Sequence, residues 1–566
     1  RAVAADHAPR NEPPVTLNAD QQRVYENIVA DLDKGFGVKL LHGVTGSGKT
    51  EGYIRAIEHV VAADRTAIML VPEIALTPQT VGRFLSRFQR VCVLHSGLTA
   101  AQRHAQWQLI RDNYPQVIVG ARSAIFAPTH NLGLIVVDEE HDNSYKQDQA
   151  PRYHGRDVAI KRAQMTGVPV VLGSATPSLE SYYNATQRQS YDLLELPNRV
   201  NDLPLPPVRI VDMLEERRQR VAQTGTQRVH LLSRPMESAL RRTFNEGGQA
   251  ILLLNRRGYA NYVACPDHNC GWQMTCENCD VAMVYHLDDR VPAGGLTRCH
   301  YCGFENRLPT ACPSCGKKVL TFGLGTQRVE EEIERKFPDV RLIRMDSDAM
   351  RTAGHYEDAL RRFGEGDIDL LVGTQMIAKG LDFPNVRMVG VISADTALNL
   401  PDFRATERTF QLVSQVSGRS GRGLASGSVV VQTFTPGHRA IERAAAHDYP
   451  GFARAEMEMR THANLPPVSR MARIVCRDRD LDRALDAAQA CADALLKINE
   501  ELATGTLVLG PLAPPIARIG GYYRMQIEIT AQDAHTLQHI LTTARNHHHI
   551  RSDARMAVDV DPVSLL

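Results

Sequence analysis

Short runs of apolar residues recur along the chain, and each ends in a cluster of small, acidic or hydroxyl-bearing residues. Val38 to Leu41, Leu134 to Val137, Val170 to Leu172, Ile251 to Leu254 and Leu370 to Val372 are runs of this kind. Short, mostly unalternated apolar runs predict strands buried on both faces, as in parallel sheets covered by helices on either side. Leu17-Asn18-Ala19-Asp20-Gln21 opens a helix, with Gln21 placed either to cap it or to read an adenine edge. Beyond about residue 440 helical and strand patterns alternate without a catalytic motif. No apolar run approaches the roughly eighteen residues of a membrane-spanning helix.

The polar clusters carry the chemistry. Val38 to Leu41 leads into Gly43-Val44-Thr45-Gly46-Ser47-Gly48-Lys49-Thr50, a complete phosphate-binding loop. Its glycines let backbone N–H groups face a β-phosphate, Lys49 neutralises β and γ oxygens, and the Thr50 hydroxyl ligates Mg²⁺. Leu134 to Val137 ends in Asp138-Glu139-Glu140-His141. Asp138 is expected to hold Mg²⁺ through water, and Glu139 to polarise the water that attacks the γ-phosphate of ATP. Gly173-Ser174-Ala175-Thr176-Pro177 repeats the strand-then-small-loop design. Val71 to Thr77 and Val119 to Ala124 do so too, and there Arg122 is a candidate contact for a nucleic-acid backbone. In Gln415-Val416-Ser417-Gly418-Arg419-Ser420-Gly421-Arg422, Arg419 and Arg422 stand three apart among glycines, suited to reach a γ-phosphate held by another domain.

Eight of the eleven cysteines fall into four close pairs: Cys265/Cys270, Cys276/Cys279, Cys299/Cys302 and Cys312/Cys315. Such pairs grip tetrahedral zinc, and eight thiolates fill two four-sulfur sites. A nested arrangement joins the outer pairs (Cys265, Cys270, Cys312, Cys315) and the inner pairs (Cys276, Cys279, Cys299, Cys302); a sequential one stays open. A disulfide framework or iron–sulfur ligation fits less well, because the rest of the chain reads as a large intracellular enzyme. With 566 residues there is room for three or four domains, and 65 Lys+Arg against 64 Asp+Glu, a net charge of +1, give no whole-protein basic field. Nucleic-acid binding therefore rests on local features.

In order, these runs resemble a superfamily 2 helicase core. Gly173 to Ser178, Asn255 to Tyr259, Gly323 to Glu330, Gly373 to Asp382, Pro401 to Arg408 and Gln415 to Arg422, with the cysteines after the second, resemble the PriA family of bacterial replication-restart helicases. Leu509 to Pro514 and Asp559 to Pro562 extend the likeness to the C-terminal region. The resemblance implies an α/β architecture: two RecA-like parallel-sheet domains at 16–195 and 235–435, a double zinc-binding insert at 262–318 in the second, and an α+β domain at 440–566. Residues 196–234 read as a linker, and 1–15 as a linker from a missing N-terminal region that binds DNA in the family. It implies an ATP-dependent 3′ to 5′ DNA helicase with Mg²⁺ and two Zn²⁺, acting at stalled or collapsed forks and promoting primosome assembly. Its partners would be single-stranded and forked DNA, single-stranded-DNA-binding protein, other primosomal proteins and the machinery that loads the replicative helicase, in a cytoplasmic, nucleoid-associated setting without membrane.

By position the resemblance makes Lys49, Thr50, Asp138 and Glu139 nucleotide and Mg²⁺ residues, Arg419 and Arg422 arginine fingers, and the eight cysteines zinc ligands. Gly380 and Asp382 are candidates for coupling nucleotide to nucleic acid. The loop His141 to His154 resembles the family's aromatic-rich loop but has no Trp, so base stacking falls to Tyr145 and Tyr153, unless they are core residues. A double-stranded-DNA translocase or a non-enzymatic primosome scaffold are the competing readings. The insert is read as a duplex wedge, a docking surface or a staple.

Overall fold

The protein is described here from a computed structural model, which covers all residues except 1–15, 74–77, 201–202, 226–229, 255–261, 266, 268–269, 271, 288–294, 300, 323–325, 347–349, 351–352, 375–376, 378–382, 399, 422–426 and 566.

Seven parallel strands build the first sheet: β1 (Val38–Gly43), β2 (Thr66–Leu70), β3 (Val91–Leu94), β4 (Val117–Gly120), β5 (Leu132–Asp138), β6 (Val170–Ser174) and β7 (Asp192–Leu196). Their spatial order is β3-β4-β2-β5-β6-β1-β7. Alternate residues of one strand enter two different cores. Leu40, Ile68, Ile118, Ile135, Val170 and Leu172 pack on one face, while Leu41, Met69, Val119, Leu134, Val136 and Val171 pack on the other. Double-sided burial is why these strands are continuous apolar runs. The order also sets β1, β6 and β5 side by side, with Asp138 level with Gly173, and Leu41 and His42 level with Gly173 and Ser174. The three polar clusters thus share one end of the sheet, the carboxyl end where ligands of open α/β sheets bind.

A second parallel sheet of six strands follows the spatial order Leu342–Met345, Leu370–Gly373, Gln249–Leu253, Val386–Val391, Ser428–Thr433, Val208–Asp212. Its last member corrects the linker reading of 196–234. Val208–Asp212 pairs in parallel with Ser428–Thr433, and Met213–Thr224 is a helix. The proline cluster that suggested a linker only leads into the edge strand: Pro207 lacks an N–H, yet its carbonyl accepts from Val429 N at 3.1 Å.

Two antiparallel sheets complete the fold. One has the order Glu305–Arg307, Gly295–Arg298, Val284–Leu287, Tyr262–Ala264, Leu320–Phe322 and carries the cysteines. The other sets Leu507–Leu512, Tyr522–Ala531, Arg470–Asp478 and Met556–Val560 side by side, with Arg518–Ile519 paired to the start of Tyr522–Ala531. Its apolar face, including Ile474, Cys476, Ile527 and Ile529, shares a core with Leu495 and Leu541 of helices Leu481–Leu502 and Ala534–Asn546. The chain forms two compact units. Arg1–Leu254, Glu330–Ala394 and Thr409–Ala453 form the unit with both parallel sheets, and Asn255–Val329, Asp395–Arg408 and Arg454–Leu566 the unit with both antiparallel sheets. Among the described residues no helix is long and apolar enough to cross a membrane.

Candidate nucleotide site and metal centres

The phosphate-binding loop is shaped by crowding. Gly46 and Gly48 sit at φ 86° and 82°, in the left-handed region. A Cβ on Gly43 would stand 2.7 Å from Ser47 Oγ, and one on Gly48 2.2 Å from Gln21 Nε2. The next helix, Lys49–Ala62, begins with no side chain capping its N-terminus, which leaves its first N–H groups to an anion. Among the described residues Ser47 Oγ is buried without a hydrogen-bond partner, and Lys49 Nζ donates to Gly43 O at 2.7 Å. A cradle of this kind fits a nucleotide triphosphate.

Gln21 does take part in capping its helix, since its Oε1 accepts from Asn18 N and its own N–H donates to Asn18 Oδ1. Its Nε2 donates to Ser47 O at 2.9 Å and so ties the first helix to the loop.

Asp138 ends β5, and burial first, then the neighbouring Glu139, pushes its carboxyl up to about 7. Glu139 turns the chain at φ 46° and places Oε2 3.7 Å from His141 Nδ1. His141 Nδ1 is 2.7 Å from Ser174 Oγ, and its Nε2 2.5 Å from Gln415 Nε2. An imidazole with its proton on Nδ1 donates to the first and accepts from the second, so it joins the acidic loop to both the Ser174 loop and the Gln415 helix. Gly418 lies so close to Thr45 that a Cβ would be 2.4 Å from it. Arg419 follows directly. Arg422, Gly380 and Asp382 lie outside the described residues, as do residues 74–77.

Two residues that sequence reasoning missed organise the site. Glu140, fully buried, accepts from Ser178 N at 2.6 Å, Ser181 Oγ at 2.8 Å, and Ser178 Oγ and Arg156 Nη1 at 3.0 Å. Its function is mechanical: it pins the acidic loop to the helix Leu179–Thr186. Arg199 donates through Nε to Thr45 O at 3.1 Å, Nη1 to Gly421 O at 2.9 Å and Nη2 to Gly418 O at 3.0 Å, strapping the phosphate loop to the arginine turn. No local sequence signal marks either role, because every partner but one is remote in the chain.

Two candidate nucleic-acid contacts are engaged within the protein. Tyr145 is a core residue, 1 % exposed, whose hydroxyl donates to Asp138 O at 2.7 Å; a short 3₁₀ turn folds it beneath β5 and away from any base. Arg122 donates through Nη1 to the carbonyls of Ser144 and Lys146, which secures the loop. Tyr153 is half-buried, edge-on to the exposed Phe126 with ring centres 5.1 Å apart, and Phe126 had no mark in the sequence.

The cysteines fall into the nested arrangement. Cys265, Cys270, Cys312 and Cys315 form one group and Cys276, Cys279, Cys299 and Cys302 the other, each with its sulfurs within 4.8 Å of one another. Cys265–Cys315 is 3.3 Å, Cys270–Cys312 and Cys276–Cys302 3.6 Å. Zinc bound tetrahedrally at about 2.3 Å needs sulfurs roughly 3.8 Å apart, so both groups fit the ion. Gly303 and Gly316, at φ 76° and 72°, follow a cysteine in each group and turn the chain back sharply.

Residues 18–185 match the DEAD/DEAH box helicase family, 306–423 the helicase conserved C-terminal domain, 276–307 the PriA DNA helicase Cys-rich region domain, and 461–563 the primosomal protein N C-terminal domain. Replication restart protein PriA of Bacillus subtilis (strain 168) is 45% identical over 98% of this chain and 67% of its own length. The chain belongs to the PriA family. The PriA proteins of Synechocystis sp. and Treponema pallidum (strain Nichols) are 41% and 40% identical, over 94% and 97% of this chain. The chain spans 63% and 80% of those two PriA relatives. It is thus a PriA-family helicase with two RecA-like domains, a double four-cysteine zinc region and the family's C-terminal domain.

Proposed function

We propose that this chain is an ATP-dependent 3′ to 5′ DNA helicase that acts at stalled or collapsed replication forks and promotes primosome assembly. The supporting observation is the meeting of three loops, Gly43–Thr50, Asp138–His141 and Ser174–Thr176, at one sheet end, with Gln415 and Gly418 of the second helicase half against them. Polarity, fork action and the primosomal partners rest on the family and on the relatives' name as replication restart proteins.

Lys49 and the loop amides would hold the triphosphate, and Glu139 would take the proton of the attacking water. Thr50 and Asp138 would hold Mg²⁺, which when bound neutralises the β and γ oxygens. Arg419 and Arg422 would stabilise the charge that grows on the γ-phosphate as its bond breaks. Cleft closure follows from a shared triphosphate gripped by both helicase halves, and hydrolysis removes the charge that held it. Gly380 and Asp382 would carry that change to DNA stacked on Tyr153 and Phe126.

ATP turnover measured with and without single-stranded DNA tests the reading. Strong stimulation, together with displacement of a strand from a forked duplex with a 3′ single-stranded arm, is the expected result. Turnover unaffected by DNA would end it, and translocation along duplex DNA that strips streptavidin without separating strands would replace it with a translocase.

A further inference from the structure

The inner cysteine group has an outside visitor. Between the strands Arg518–Ile519 and Tyr522–Ala531 of the C-terminal sheet, the chain turns through Gly520 and Gly521, both in the left-handed region at φ 59° and 79°. That turn lies along Cys276-Glu277-Asn278-Cys279. Gly520 N donates to Cys279 Sγ at 3.1 Å, and Gly521 N to Asn278 O at 2.7 Å. In return Asp280 N donates to Arg518 O at 3.1 Å, while Arg518 Nη2 donates to Glu277 O at 2.9 Å. Arg518 Nε also sits 3.5 Å from the Asp280 carboxylate. Ile519 packs on the insert's apolar cluster, which holds cysteines of both groups, so it is the hydrogen bonds that single out the inner one. At the outer group the described contacts come from the insert itself, as when Cys265 N donates to Trp272 O, Cys312 N to Lys317 O, and Lys317 Nζ to Asp267.

Four thiolates around one Zn²⁺ carry two excess negative charges. An N–H aimed at a ligating sulfur offsets part of that charge and fixes the sulfur's direction, and losing such outer-shell partners typically weakens metal binding about 10- to 100-fold. When the donor belongs to a different domain, metal affinity and docking become linked, and each must strengthen the other by the same factor.

We propose that the inner cysteine site is a metal-governed joint. The Arg518–Gly521 turn raises the inner site's hold on zinc, and inner zinc in turn holds the C-terminal sheet to the insert. The outer site stands apart from this coupling. The inference rests on the zinc reading of both cysteine groups, and it makes Arg518 and Gly520 positioning residues for a metal they do not ligate.

The test uses the full chain. Zinc is counted by mass spectrometry, and its release into excess EDTA is followed with a colorimetric zinc indicator. The Cys276→Ser/Cys279→Ser variant identifies the phase that belongs to the outer site. Arg518→Ala should speed release of the inner zinc at least about 10-fold and leave the outer phase unchanged, and Arg518→Lys should recover part of the loss. In the double-serine variant, hydrogen exchange at Gly520 and Gly521 should rise to that of an open loop, while Ile527 and Ile529 in the same strand keep their protection. Release of both ions at wild-type rates in Arg518→Ala, or equal acceleration of both, overturns the joint. So does unchanged exchange at Gly520 and Gly521. A wild-type chain that binds no zinc would instead overturn the underlying metal reading, and the two failures are told apart by the first count.

Discussion

Glu139 and Glu140 are adjacent, identical in type and opposite in role. Glu139 is partly exposed and faces His141, whereas Glu140 is buried under hydrogen bonds from Ser178, Ser181 and Arg156. Glu139→Gln should therefore bind ATP and fail to hydrolyse it, with a thermal midpoint close to wild type. Glu140→Ala should lower stability instead, by about 3 kcal/mol, because Ser178 N and the Ser181 hydroxyl lose their buried acceptor and Arg156 loses one carboxylate partner, keeping Asp157 at 3.0 Å. A denaturant titration of the two variants checks the contrast. Lys49→Ala should abolish DNA-stimulated turnover and leave the circular dichroism spectrum unchanged; turnover near wild type would remove Lys49 from the site. The acidic cluster was legible as a cluster, since an apolar strand ending in carboxylates is a local pattern. Which glutamate does what was not, because Ser178 and Ser181 reach Glu140 only when β5 and β6 pair.

At the scale of elements, the parallel strands were readable because burial on both faces leaves no polar alternation to confuse the pattern. The strand Val208–Asp212 was not, since only one of its residues is buried and prolines precede it. Tyr145 was open between core residue and stacking platform for a related reason: a tyrosine in a polar loop has the same local sequence whether the loop folds over it or displays it. Arg199 belongs to this scale too. It starts the stretch between the two helicase halves and clamps three carbonyls from both of them. Arg199→Lys keeps the charge but loses the planar fork. Single-turnover ATP hydrolysis should slow by roughly 10-fold or more, with ATP affinity nearly kept. A pure loss of affinity would show that Arg199 supports only the phosphate loop.

For the whole molecule, metal analysis should return two zinc ions per chain, and chelation should unfold the insert while DNA-independent ATP turnover persists, since each structural site contributes on the order of 10 kcal/mol to ordering its own loops. The unit with the parallel sheets should also be acid-sensitive. Burial, as the largest cause, holds His42 and His154 down to about 4, from an ordinary 6.5. At these two sites the unfolded chain binds more protons between about pH 4 and 6.5, so their contribution to stability rises with pH across that window and is lost on acidification, while Asp138, raised to about 7, offsets part of it because there the folded chain holds the extra proton. His42→Gln/His154→Gln should flatten that slope in pH-dependent thermal melts. The interleaving of the two units has a consequence for biosynthesis. The chain leaves the first unit and returns to it twice, and Val208–Asp212 has its strand partner only at Ser428–Thr433. At ordinary translation rates roughly ten to forty seconds separate the two on the ribosome. Within that interval the central strand Gln249–Leu253 also waits, until Leu370–Gly373 and Val386–Val391 have been made, so the growing polypeptide carries unpaired sheet edges far longer than a chain whose domains finish one after another. Shelter by a ribosome-bound chaperone is the natural requirement, and ribosome-stalled chains ending before residue 428 should be cut by protease in the second sheet while the first, complete by residue 196, resists.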